Sequence, residues 1–132
     1  MIKYTDSLEG INVDMLQGFF VGWRREVSQD EHLRLLQGSY KIWLAVDEDT
    51  NCVVGFVNAV SDGVLSAFIP LLEVLSSHHG QGVGKELMQR ILQSLDGMYM
   101  IDAICDNDKV SFYENAGMTK GGNAMLKRNW AI

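Results

Sequence analysis

The chain has 132 residues, 47% of them apolar, which suits one domain spanning 1–132 with a real core and leaves no length for a second. A net charge of −6 repels a phosphate backbone, and the compact basic pair Lys127-Arg128 is too small to act as a nucleic-acid footprint. Residues 1–6 lack a signal-peptide pattern and no apolar run approaches the ~20 residues needed to cross a bilayer, so a soluble cytoplasmic protein with no membrane partner is expected.

In chain order, Ile2 and Tyr4 alternate with Lys3 and Thr5, the pattern of a short first strand. Met15, Leu16, Phe19, Phe20 and Trp23 recur at helical spacing behind Asn12, a good N-cap, and predict an amphipathic helix over 15–23. Gly18 and Gly22 share one side of it. Ser28-Gln29-Asp30-Glu31 has the form of a capping box and opens a second helix that stops near Gly38. The β-branched runs 40–46 and 52–60 flank a polar stretch, 47–51, and read as an antiparallel hairpin.

After Ser61-Asp62-Gly63 comes an apolar strand over 64–75 that contains Pro70. A proline has no N–H for the ladder, so this strand must be bulged, bent or edge-exposed there. Residues 85–95 form the strongest helical stripe, through Leu87, Met88, Ile91, Leu92 and Leu95, and Gly97 ends it. A strand follows over 98–105, then a short helix over 109–115 with Asp108 as cap and Gly117 as stop. Residues 118–130 hold Gly121-Gly122-Asn123 between two short runs, which reads as a closing hairpin. Cys52 and Cys105 are far apart without His or Cys companions at ligand spacing, so neither a metal site nor a redox pair is indicated.

Between the Pro70 strand and the strong helix lies His79-Gly80-Gln81-Gly82-Val83-Gly84. Glycines let a ligand approach the backbone, and the first amides of the helix point outward unpaired, so this loop is a candidate cradle for phosphate or pyrophosphate. It is not a Walker A loop, because His79 and Glu86 stand where glycine and Ser or Thr are needed. Nor is it a dinucleotide fingerprint starting at Gly80, since Lys85 takes the place of the last glycine.

The stretch from Leu71 to Leu92 resembles the coenzyme A binding motif of the GNAT superfamily of N-acetyltransferases: Val74 and four residues, then position 79, two residues, Gly82, one residue and Gly84. Position 79 departs from it, carrying His where the family usually has Arg or Gln. A second stretch, Ser111-Phe112-Tyr113-Glu114-Asn115-Ala116-Gly117-Met118, is similar to the family's later aromatic-pair motif, with Met118 in place of Phe. The resemblance implies an α/β (α+β) GNAT-like fold: a mixed, mostly antiparallel twisted sheet of about six to seven strands, splayed at its centre and flanked by about four helices.

The same resemblance implies an acetyl-CoA-dependent N-acetyltransferase acting on a primary amine of a small molecule by direct attack, without a metal. The implied cofactor contacts are Val74, Leu75, His79, Gly80, Gln81, Gly82, Val83, Gly84, Lys85, Asp106, Asn107 and Tyr113. Tyr113 is the implied general acid at the departing sulfur, and a backbone amide at Val74 or Leu75 would polarise the thioester carbonyl. Glu73 is the candidate base, because strand alternation puts its side chain opposite Leu72 and Val74; Asp102 and Asp62 are its rivals. The acidic balance is compatible with a cationic amine. A homodimer is compatible with the pattern, and the competing expectation is a CoA-binding sensor or interaction module of the same fold that has lost turnover.

Overall fold

The computed structural model describes residues 1–129. Its frame is a five-stranded sheet in the order β1 (Ile2–Thr5), β2 (Lys41–Asp47), β3 (Cys52–Ser61), β4 (Ser66–Val74) and β5 (Met100–Ala103). The first four strands are antiparallel neighbours; β5 lies parallel to β4. The parallel step needs a crossover, which α2 (Val83–Ser94) supplies. The β2–β3 hairpin turns at Asn51, whose φ of 57° is one an asparagine tolerates, and its N–H donates to the Asp47 carbonyl at 2.7 Å.

Each face of the sheet carries its own core. Val57, Ala59 and Ile69 pack with Val83, Leu87, Met88 and Ile91 of α2 on one side. Trp43 Nε1–H adds a bond to Ser94 Oγ at 2.8 Å. On the other side Leu44, Val53 and Phe56 meet Met15, Leu16, Phe19, Phe20 and Leu36 of α1 (Gln29–Gly38). The α1 helix starts as its sequence dictates: Ser28 Oγ accepts from Glu31 N–H and the Glu31 carboxylate accepts from Ser28 N–H, a complete capping box.

Two features of β4 open the sheet. Opposite β3 the register steps from Asn58↔Leu71 to Val60↔Phe68, so β4 holds one extra residue at 69–70, where Pro70 has no N–H to give. Pairing with β5 covers only Ser66↔Met100 to Ile69↔Ala103. From Pro70 to Val74, β4 therefore runs beyond β5 with that edge unpaired.

Three expectations need correction. Residues 15–23 form no α-helix: a 3-10 turn, Val13–Met15, is capped by Asn12 as its sequence suggests, and then Gly18, Phe20 and Gly22 take φ of 91°, 63° and 81°. Those left-handed residues end any helix; Met15, Leu16, Phe19 and Phe20 are still buried, whereas Trp23 is exposed. The described part of 118–130 contains no strand, and Trp130 lies outside the described residues. Among the described residues there are thus five strands and three α-helices rather than six to seven and about four. The last helix, α3 (Val110–Asn115), follows a 3-10 turn at Asn107–Lys109 and begins without a side-chain cap from Asp108.

Candidate active site

The glycine loop joins the end of β4 to α2 through a 3-10 turn, Ser76–His78. His78 pins that turn to the end of β2: its Nε2 lies 3.2 Å from Asp47 Oδ2, while Ser77 Oγ lies 2.8 Å from Nδ1. The Asp49 amide, which contributes most, and the His78 imidazole hold the Asp47 carboxyl below its ordinary range. Gly80 and Gly82 have φ of 76° and 78°, and a Cβ built on either meets no atom within 4 Å. The backbone there is bare, and the surface above it is open.

Gly82 is the N-cap of α2, and its carbonyl already accepts from Glu86 N–H. The N–H groups of Val83, Gly84 and Lys85 therefore lead the helix without intrahelical partners, and the helix dipole favours an anion in front of them. Gly84 sits at a junction: a Cβ there would make ordinary contact with Val74 Cγ2 at 3.6 Å and the Phe112 ring at 3.7 Å. This residue brings α2, β4 and α3 together. The loop, with its bare backbone and leading amides, fits the diphosphate of a coenzyme A.

At the strand end, backbone direction matters. Leu75 N–H donates to Val54 O at 2.8 Å, so the hydrogen bonds of Leu75 point to β3. Alternation then turns the N–H and C=O of Val74 to the opposite side, where β5 has already ended. The Leu75 amide is thus already engaged and drops out as a donor to a ligand carbonyl. Val74 N–H remains on the open side. Its carbonyl accepts from His79 Nε2–H at 2.7 Å.

Glu73 faces away from α2. Its neighbours Leu72 and Val74 pack into the α2 core, whereas both Glu73 carboxylate oxygens accept from Phe20 N–H at 3.1 Å. Burial raises its pKa above the ordinary carboxylate value, and the Phe20 bond opposes the shift only in part. Asp62 differs in both respects. Exposed in the β3–β4 turn, at the other end of β4, it caps the amides of Val64, Leu65 and Ser66, and those bonds lower its pKa. Asp102 is exposed on β5.

Tyr113 is half-buried on α3, edge to face with Phe112 at 5.2 Å between ring centroids. Burial, and to a lesser degree the nearby Cys105, push its pKa upward, so the phenol keeps its proton at neutral pH. It lines a cavity of 820 Å³ between β5, α3 and the segment after Gly117, with Asp102, Cys105 and Asn107 also on its walls. The glycine loop lies outside that cavity; Gly84 lies against Val74 and Phe112, and Phe112 packs on Tyr113, which links the two halves of the site. Asp106 is exposed beside Asn107. Sequence reasoning missed Phe20, whose amide holds Glu73, because nothing in a local pattern signals a contact between residues 53 apart.

The arrangement matches a known family model. Residues 8–118 fit the model described as the acetyltransferase (GNAT) family. The chain belongs to the GNAT family. A chloroplastic GCN5-related N-acetyltransferase 1 of Arabidopsis thaliana is 30% identical over 115 residues, which is 84% of this chain and 58% of that protein. The chain spans about half the length of the curated relatives it matches. Among solved structures, a candidate acetyltransferase of Deinococcus radiodurans R1 is 43% identical, with a TM-score of 0.93 over 98% of this chain and 90% of that one. A GNAT-family acetyltransferase protein of Streptococcus pneumoniae TIGR4 is 26% identical, with a TM-score of 0.72 over 98% of this GNAT chain and 100% of that one.

Among the described residues no helix is long and apolar enough to cross a membrane, and no group of three or more His, Cys, Asp or Glu side chains is placed to hold a metal ion.

Proposed function

We propose that this GNAT chain is a single-domain cytoplasmic enzyme that transfers an acetyl group from acetyl-CoA to a primary amine of a small molecule. The observation that carries the reading is the open, left-handed Gly80 and Gly82 backbone over the free amides of α2, with the half-buried phenol of Tyr113 on the adjoining helix.

Acetyl-CoA as co-substrate supplies the activated thioester. The leading amides of Val83, Gly84 and Lys85 bind its diphosphate, with Gln81 and Lys85 flanking them. Val74 N–H, on the open side of β4, donates to the thioester oxygen as negative charge develops there. Glu73 accepts the proton lost by the amine nitrogen as that nitrogen bonds to the acetyl carbon; the raised pKa suits a base working near neutrality. The C–S bond breaks, and Tyr113 gives its proton to the leaving sulfur. Asn107, on the wall of the cavity that Tyr113 lines, and its chain neighbour Asp106 contribute further contacts to the coenzyme in this reading.

The test uses the full chain. Coenzyme A should raise the melting temperature, since a ligand stabilises the state it binds. Acetyl-CoA with a panel of small primary amines should then release free thiol. Tyr113→Phe should lower kcat about 100-fold while coenzyme A binding is retained. Tight binding with no thiol release from any amine would sink the enzyme reading and leave a sensor; no thermal shift would sink the coenzyme site itself.

A further inference from the structure

His79 is the position where the loop departs from the family pattern, and its side chain is not idle. Nε2–H donates to the Val74 carbonyl at 2.7 Å, five residues back along the chain. A carbonyl only accepts, so this ring carries its proton on Nε2. The acceptor is one of the backbone groups that β4 presents on its unpaired side, past the last β5 partner at Ile69. Strand backbone left unpaired in this way is a ready template for an extended ligand that brings its own amides. The imidazole therefore occupies a place that such a ligand would use.

Both ends of the loop converge on the same residue. Gly84 packs on the Val74 side chain, while His79 holds its carbonyl. Between them, Gly80 and Gly82 face open space. The ring is exposed, so it can swing into solvent without breaking the core.

We infer that His79 is a latch: in the free protein its imidazole stands in for an amide of the coenzyme's pantetheine arm on the Val74 carbonyl, and the arm must displace it to bind. This rests on the acetyl-CoA reading of the loop. Once displaced, the ring lies next to the diphosphate cradle, where a donor finds an anion. His79 is thus a positioning residue that lowers affinity for the arm alone and favours ligands carrying the diphosphate.

The experiment compares wild type with His79→Ala, using coenzyme A and pantetheine as probes, by calorimetry and by NMR of ¹⁵N-labelled histidine in the wild-type chain. His79→Ala should bind pantetheine about three- to tenfold more tightly, the worth of one competing hydrogen bond, and should lose the preference for coenzyme A over pantetheine by at least that factor. Saturating wild type with coenzyme A should shift the His79 ring nitrogens. A latch that only stiffened the loop would make pantetheine binding weaker in the variant. That result, or equal pantetheine binding, or unmoved His79 nitrogens in a coenzyme-saturated wild type, overturns the inference while leaving the coenzyme site intact. Should His79→Ala not fold, the wild-type ring signals still decide. If coenzyme A does not bind wild type at all, the cofactor reading falls, and the latch with it.

Discussion

The carboxylate of Glu73 shows how one side chain can be both structural and chemical. Burial raises its pKa, and the Phe20 amide keeps it pointed toward the face opposite α2. As a base it must be ionised, so activity should fall as pH drops through its pKa, and that acid limb should lie above the ordinary carboxylate range. A pH–rate profile of kcat/KM measures it. Glu73→Gln keeps an acceptor for Phe20 N–H but removes the base, and should lower kcat by about 100-fold with little change in coenzyme A affinity. An unchanged kcat would return Glu73 to a purely structural role. The contrast with Asp62 is instructive: three amides already hold that carboxylate and lower its pKa, which makes it a poor proton acceptor at neutral pH.

At the level of elements, what was legible followed from local chemistry. The capping box of α1, the β2–β3 hairpin, the stripe of α2 and the glycine loop each state their structure within a few residues, and each is present. The segment after Asn12 is different. Met15, Leu16, Phe19 and Phe20 are spaced like a helix because all four are buried against Leu36 and Phe56, but periodicity reports burial, not backbone. The signal against a helix was the pair Gly18 and Gly22, each costing about 1 kcal/mol there. His79 on Val74 and Phe20 on Glu73 were illegible for another reason: each joins a side chain to a backbone group, which any residue supplies. The two backbones make opposite predictions for Gly18→Ala. In a helix the change would stabilise by about 1 kcal/mol. Here φ is 91° and a Cβ would stand 3.3 Å from Leu75 Cδ2, so urea unfolding should show a loss of about 1–2 kcal/mol.

For the molecule as a whole, the second core carries a pH dependence of its own. His32 on α1 is 1% exposed, and neither ring nitrogen has a hydrogen-bond partner. Phe19, Phe20 and Phe56 surround it with ring centroids at 5.1, 5.0 and 4.3 Å, so it ties the 13–20 segment, α1 and β3 together. Burial lowers its pKa from 6.5 to about 4. Between those values the unfolded chain binds a proton that the folded chain does not, so the unfolded state gains as pH falls. Stability should be fully present above about pH 6.5 and lost progressively down to about pH 4, by a total of about 3 kcal/mol from this group. Glu73 acts in the opposite sense, because its raised pKa favours the folded, protonated form at low pH. The contribution of His32 is therefore isolated by difference. His32→Leu replaces an unpaired buried imidazole by an apolar side chain, and should be as stable as wild type or more so at pH 7. Urea unfolding of both proteins from pH 4 to 7 should show the gap between them widening as pH falls, approaching one proton's slope between the two pKa values. Parallel stability curves would mean that His32 finds a partner for its proton, and that the aromatic cage is not the dry junction described here.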